Sequence, residues 1–392
     1  MSDTIVIVGI ARTAMGAMQG MFSEVSAPQL GAWAIKGAMA DACVGPKDVS
    51  EVLMGCVLPA GTGQAPARQA ALGAGLLQST PATTVNKVCG SGMRTVMLAH
   101  DALLAGNASI VVAGGMESMT NAPYMLPKAR GGYRLGHGEI LDHMFTDGLQ
   151  DAYQGGLMGV FAEATADKYE FTREAQDAFA IASLSRANAA IASGAFKREI
   201  TPVTLVTRKG ETLIDTDEQP GNGRPDKIPS LKPAFKKDGT VTAANSSSIS
   251  DGAAALVLTT ASHATVKGLK PLARIVAQTQ FAQDPEWFTT APVGAMKALL
   301  ERANWSVADV DLFEINEAFA VVTMAGMKDL AIPHDKVNVN GGACALGHPL
   351  GASGARILVT LIAALQARGM RRGVASLCIG GGEATAMAIE LL

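Results

Sequence analysis

The chain is poor in the residues that mark several classes of protein. Aromatic residues make up only 5% of its 392 positions and charged residues 17%, so a fold built on aromatic layers finds little material here. The net charge of −3 argues against a nucleic-acid partner, which calls for a basic surface. The five cysteines, at 43, 56, 89, 344 and 378, are odd in number and form no Cys-x-x-Cys pair. Neither a disulfide framework nor a metal site is therefore expected, and a reducing, cytoplasmic compartment suits such thiols best. Long apolar runs are also missing. Ile357 to Leu365 is the longest clean one, far short of the ~20 residues of a membrane span. The start, Met1-Ser2-Asp3-Thr4-Ile5-Val6-Ile7-Val8, has no basic region before its apolar run. It reads as a first strand, not as a signal peptide or an Arg-rich presequence.

Glycine and small apolar residues are abundant instead. There are 43 glycines, and 48% of the chain is hydrophobic. Small residues let helices and strands approach closely, which favours a layered α/β architecture of roughly two or three domains.

The sequence echoes itself. Lys47 to Met54 resembles Ala308 to Ile315, with Asp48 and Asp309 261 apart, and Ser91-Gly92-Met93-Arg94 resembles Ser353-Gly354-Ala355-Arg356 at an offset of 262. A helix-like stretch follows each Ser-Gly-x-Arg and ends near Gly106 or Gly369. A buried strand with a glycine cluster comes next, Ile110 to Glu117 or Gly373 to Glu383. Ile5 to Ile10 has a counterpart in Leu272 to Gln278. Two α/β halves of the same order are expected, their continuous Val/Ile/Leu strands suited to sheets covered on both faces. The first half spans 1–118 and resumes at about 246–269. The second spans 270–392. The segment 119–245, charged and partly helical (Arg173 to Ser193), reads as an insertion.

Three positions stand out chemically. Cys89 follows the strand-like run Thr83 to Val88 and precedes Gly90-Ser91-Gly92 at a helix start, the strand-turn-helix arrangement of a nucleophile elbow. A helix N-terminus there lowers a thiol pKa and offers N–H donors. An inert buried cysteine is the competing reading. His348 lies among five glycines between residues 341 and 354, which let backbone and substrate come close. Cys378 ends a buried strand before Gly380-Gly381-Gly382, while Cys43, Cys56 and Cys344 lack such a turn and read as packing thiols. Asn316, after the strand Asp311 to Ile315, either caps a helix or points its amide into a site. A thiol nucleophile, an imidazole base and a second thiol suggest acyl transfer on thioesters.

These motifs resemble the thiolase family over essentially the whole chain. The Cys-Gly-Ser-Gly motif falls on Cys89 to Gly92, Asn-Glu-Ala-Phe-Ala on Asn316 to Ala320, Gly-His-Pro on Gly347 to Pro349 and Cys-x-Gly on Cys378 to Gly380. The resemblance implies two duplicated α-β-α halves with an inserted loop domain, a homotetramer, acyl-CoA substrates, and no resident cofactor, coenzyme A being substrate and product. It implies that His348 activates Cys89, that an acyl group rests on Cys89, and that Cys378 deprotonates a second acetyl-CoA. Oxyanions would be held near His348 and Asn316, and at the N–H groups of Cys89 and Gly380. Phe235, Ser247 and Phe319 fall where relatives line the pantetheine arm. The sequence departs at Gly155-Gly156-Leu157-Met158-Gly159, where Leu157 stands in place of a His-Met-Gly histidine, and Arg224 is displaced from a basic residue near the adenine. The expected reaction is the condensation of two acetyl-CoA to acetoacetyl-CoA, or its thiolytic reverse. The alternative is a thiolase for longer or 2-substituted 3-oxoacyl-CoA. An acyl-carrier-protein condensing enzyme would carry a histidine or asparagine where Cys378 stands, and a lipid-transfer or scaffold protein on this fold would not need both thiols.

Overall fold

The computed structural model describes residues 3–207 and 210–392. Residues 1–2 of the expected first half and 208–209 of the expected insertion lie outside them. One large sheet runs through the molecule in the order Leu312–Ile315, Arg372–Ile379, Glu383–Leu391, Ala273–Ala282, Ile5–Arg12, Ser250–Thr260, Ile110–Ser118, Glu51–Gly55, Ala82–Val85. It is two sheets joined edge to edge. Ile5–Arg12 and Ala273–Ala282 pair antiparallel only at Val6–Arg274 and Ile7–Ala273.

The halves repeat strand by strand. Ile5–Arg12 pairs antiparallel with Ser250–Thr260, with a bulge between Ile7 and Gly9. Ala273–Ala282 pairs antiparallel with Glu383–Leu391, with a bulge between Ile275 and Ala277. The inner parallel pairs keep one register, with Met54 opposite Gly114 and Ile315 opposite Ser376. Even the edge strand Ala82–Val85 has a remnant in the second half, a single parallel bridge between Phe313 and Val337.

The sheets are covered on both faces, which is why their strands read as unbroken apolar runs. In Ile110–Ser118, Ile110 and Val112 pack into the core beneath helices Ala27–Asp41 and Pro66–Gly73, while Val111 and Ala113 pack inward. The inward core belongs to helices Ser91–Leu104 and Leu350–Arg368, wedged between the two sheets. A third core lies under Ala291–Ala303 in the second half. The layers are thus helix, sheet, paired helices, sheet, helix. The paired helices cross at the matched glycines of the echo. A Cβ on Gly92 would stand 2.7 Å from the Ala355 nitrogen, and one on Gly354 2.3 Å from the Met93 nitrogen. Only glycine lets the two backbones meet. Leu350–Arg368 is also long and apolar enough, by composition, to cross a membrane, but it is nearly all buried inside the protein. Reading only the stretch from Ile357 to Leu365 missed this, because Ser353 and Arg356 stand before it while being buried themselves.

Between Ser118 and Ser250 the chain leaves the sheet. It forms two small hairpins (Tyr124–Met125 with Leu141–Asp142, Val203–Thr207 with Gly210–Ile214) and helices Met158–Tyr169 and Arg173–Ser193. It is anchored by the fully buried Arg12, whose guanidinium reaches Glu199 at 2.6 Å and Asp217 at 2.7 Å.

Candidate active site

The strand before Cys89 ends at Val85, three residues earlier than the apolar pattern implies, and a turn carries the chain to helix Ser91–Leu104. Val88 takes φ 45°, a left-handed backbone that costs a β-branched residue on the order of 1–3 kcal/mol. Its neighbours enforce it: Val88 N–H donates to Asn86 Oδ1 at 2.9 Å, and Ser91 Oγ accepts from Lys87 N–H at 2.8 Å while donating to the Val88 carbonyl at 2.7 Å. A Cβ on Gly90 would lie 2.3 Å from the tip of the Ile379 side chain, which would have to move aside. Lys87 forms an ion pair with Glu383, tying this turn to the glycine hairpin after Cys378. In that hairpin Gly381 and Gly382 take φ of 91° and 88°, and a Cβ on Gly382 would meet the Gln283 carbonyl at 2.3 Å.

The half-buried Cys89 thiol receives the N–H of Gly380 and its own backbone N–H. Burial nevertheless pushes its pKa up to about 11, those two donors opposing the rise and the charge of Glu117 adding to it. The expectation that the helix end makes this thiol acidic is thus corrected, since desolvation outweighs the local donors. Cys378, fully buried, is held well above the ordinary thiol range by burial and by its closeness to Cys89.

His348 sits before the second central helix. Its backbone N–H donates to Ser248 O at 3.1 Å, Nδ1 bonds Ser353 Oγ, and Nε2 lies 3.5 Å from Asn316 Nδ2. Burial and then the nearby Arg356 push its pKa down to about 3, so the ring is neutral. Asn316 caps no helix. The next helix begins at Ala320 with Phe319 as N-cap, and the Asn316 side chain is turned to His348 with Oδ1 buried and unpaired.

Cys89, His348 and Gly380 line one cavity of about 380 Å³ together with Leu157, Met158, Phe235, Ser247 and Phe319. Cys378 and Asn316 stand just behind its wall, Cys378 beside Cys89 and Asn316 beside His348. Phe235 and Phe319 meet edge to face at 6.0 Å. Phe235 packs over Gly159, where a Cβ would sit 2.3 Å from the ring. Leu157 is the N-cap of helix Met158–Tyr169 and makes no capping bond.

Phe145, Leu149, Ile249, Phe288 and Leu350 add large apolar side chains to the wall. They belong to no motif, and only their apolar character could have hinted at them. Glu117 was also missed. Its buried carboxylate accepts from Val57, Leu58 and Gly351 N–H at 2.9, 3.1 and 2.8 Å, joining the loop after Gly55 to the second central helix. An acidic residue ending an apolar strand was its signal in the sequence. Among the described residues no cluster of three or more His, Cys, Asp or Glu side chains could hold a metal ion.

The family descriptions "Thiolase, N-terminal domain" and "Thiolase, C-terminal domain" match residues 5–262 and 269–391. The chain belongs to the thiolase family. Its sequence is 51% identical to the acetyl-CoA acetyltransferase of Cupriavidus necator, over 98% of this chain and 99% of that one. It is 51% identical to the acetyl-CoA acetyltransferase of Escherichia coli K12, over 99% of each. The crystal structure of the Bacillus anthracis acetyl-CoA acetyltransferase superposes with a TM-score of 0.97 at 41% identity, covering 100% of this chain and 99% of that one. This thiolase therefore keeps the family fold along its whole length, including the segment around Leu157.

Proposed function

We propose that this thiolase is an acetyl-CoA acetyltransferase, condensing two acetyl-CoA to acetoacetyl-CoA and CoA and running the reverse thiolysis. The observation that carries the reading is the meeting of Cys89, His348 and the Gly380 N–H in one largely apolar cavity, with Cys378 directly behind. Full-length relatives bearing that name support it.

The protonation states suit a closed proton cycle. His348 is neutral and both thiols are protonated. His348 Nε2 takes the Cys89 proton as Sγ attacks the acetyl-CoA carbonyl. The tetrahedral oxygen is stabilised by hydrogen-bond donors fixed in place beforehand. When the bond from carbon to the CoA sulfur breaks, Cys378 gives its proton to the leaving thiolate. Acetyl-Cys89, a His348 imidazolium and a Cys378 thiolate remain. The thiolate removes a methyl proton from the second acetyl-CoA, and the enolate oxygen is held by His348 Nε2–H, beside Asn316. The enolate carbon attacks acetyl-Cys89, whose oxyanion sits at the N–H groups of Cys89 and Gly380. Collapse frees Sγ, which recovers its proton from His348.

Coenzyme A enters and leaves as substrate, with no resident cofactor and no nucleic-acid or membrane partner in this reading. A homotetramer in the cytoplasm completes it. Free thiols suit a reducing compartment, and the exposed Tyr124, Leu126, Leu135 and Ile140 of the inserted segment offer apolar surface for subunit contact. A wider range of 3-oxoacyl chains is the second reading, favoured by Leu157 in the cavity wall.

The test is acetoacetyl-CoA thiolysis with free CoA, together with peptide mass spectrometry after incubation with acetyl-CoA. An acetyl group on the Cys89 peptide is expected. No thiolysis, or label only on Cys378 or Cys344, defeats the proposal.

A further inference from the structure

Ser353 lies on the first turn of helix Leu350–Arg368, five residues after His348 and fully buried. Its hydroxyl has one proton and two neighbours. One is the Pro349 carbonyl oxygen at 2.9 Å, which can only accept. The other is Nδ1 of His348. The i−4 back-bond open to serine in a helix takes that proton to Pro349, whose carbonyl also accepts the N–H groups of Ala352 and Ser353, and an oxygen lone pair then faces Nδ1. That contact is a hydrogen bond only if Nδ1 carries a proton. A neutral imidazole has a single N–H, so Nε2 is then bare. On its far side the ring meets a matching group, the Asn316 Nδ2 donor at 3.5 Å from Nε2.

We propose that Ser353 is a positioning residue that holds the His348 proton on Nδ1, leaving Nε2 as a lone-pair base toward Cys89 and the cavity. The catalytic meaning rests on the proposed thiolase cycle, while the tautomer is a property of the fold. The opposite tautomer would turn the Ser353 hydroxyl away from Pro349, whose carbonyl keeps the N–H groups of Ala352 and Ser353, and would set an Nε2–H against the Asn316 Nδ2 donor. The partner of one ring nitrogen decides the state of the other. The arrangement also spares reorganisation during turnover. When Nε2 gains a proton, the Nδ1–H to Ser353 bond stays as it was, and the imidazolium is met by an oxygen already oriented toward it.

Neutron diffraction from deuterated wild-type crystals reads the tautomer directly. Deuterium on His348 Nδ1, with the Ser353 deuteron aimed at Pro349 O, is expected. Deuterium on Nε2 overturns the proposal. In kinetics, Ser353→Ala should slow acylation, measured as CoA released per site from acetyl-CoA, by about 10- to 100-fold, by analogy with the loss seen when the group orienting a metal-bound histidine is removed. The KM for CoA in thiolysis should change less than about twofold. Ser353→Thr, which keeps the hydroxyl and its i−4 bond, should recover most of the rate. A Ser353→Ala enzyme that acylates at the wild-type rate also overturns the proposal. If that variant does not fold, Ser353→Thr and the wild-type neutron map still decide. A wild type inactive toward acetoacetyl-CoA would sink the thiolase reading alone, with the neutron map still deciding the role of Ser353.

Discussion

Helices Ser91–Leu104 and Leu350–Arg368 occupy matched places in the two halves and cross at matched glycines, yet the chain enters them differently. In the first half a short turn, strained at Val88, presents a thiol. In the second a longer loop, with Gly341 at φ 82° and Gly347 at φ 99°, presents an imidazole. Gly347 also needs its missing side chain, since a Cβ would fall 2.0 Å from Ser250 Oγ. The strand positions differ as well. Cys378 of the second half stands where the repeat places Met116 in the first. Duplication supplied a symmetric frame that brings two helix entries together, and unlike residues at equivalent points divide the chemical roles between them.

The largest effect that could break this division comes from the thiols. Cys89→Ala should abolish acylation and lower turnover about 10⁴-fold or more, as loss of a nucleophile does elsewhere. Cys378→Ser should still accept acetyl on Cys89 but condense about 10²–10⁴-fold more slowly, the usual cost of a lost general base. Mass spectrometry and rate assays read both, and near-normal condensation by Cys378→Ser would end the distinction between the halves.

The symmetric part of the comparison is tested at the helix crossing. Gly92→Ala and Gly354→Ala should each cost about 1–3 kcal/mol through overpacking against backbone. Gly380→Ala, whose Cβ would have only ordinary contacts at 3.6 and 3.7 Å, should cost less than that. Urea midpoints measure all three. A tolerant Gly354 beside an intolerant Gly92 would show that the matched crossing is not energetically matched.

Acidity separates the halves in sign. His348 is held at about 3 when folded against 6.5 unfolded, so the unfolded chain binds more protons between those values. Its burial therefore costs progressively more stability as pH falls from about 6.5 toward 3. Glu117 is raised to about 7 from 4.5, mainly by burial. The folded chain then binds more protons, and stability falls as pH rises from about 4.5 to 7. In urea unfolding between pH 4.5 and 7, His348→Asn should shrink the acid-side loss and Glu117→Gln the loss on raising pH. An unchanged slope in either variant counts against that assignment.

The smallest effect concerns Leu157, which the inserted segment contributes and the duplication does not explain. Each buried methylene of substrate is worth roughly 0.8 kcal/mol in an accepting apolar wall. Leu157→His should therefore shift kcat/KM from 3-oxohexanoyl-CoA toward acetoacetyl-CoA by less than about tenfold. A constant ratio would remove Leu157 from selectivity.

Much of this was legible because repeated chemistry leaves repeated text. The pairs Asp48/Asp309 and Gly92/Gly354 disclosed the halves, and the continuous apolar strands disclosed their burial on both faces. The glycines around Cys89, His348 and Cys378 marked turns where backbone comes close. What escaped was set by three-dimensional surroundings. The Cys89 pKa depends on burial, and after it on the Gly380 N–H and the Glu117 charge, both contributed by residues distant in sequence. Ser353 hid within the very Ser-Gly-x-Arg that revealed the repeat, its bond to His348 visible only once the helix start was built. Phe288 reaches the cavity from the short 3-10 helix Pro285–Thr290, which carries no motif.

The central helix Leu350–Arg368 carries a consequence for how the protein is made. Its side chains fill the space against Ile110–Ser118 and Ser250–Thr260 of the first half, yet it leaves the ribosome after the whole of that half. Until then, Val111, Ala113, Leu256 and Leu258 are shielded on that face by helix Ser91–Leu104 alone. A nascent chain stopped before residue 350 carries an apolar sheet face only partly covered and otherwise open to other chains, which is the state that holdase chaperones recognise and aggregation exploits. Synthesis of this chain thus commits to its second half before its first half is safe.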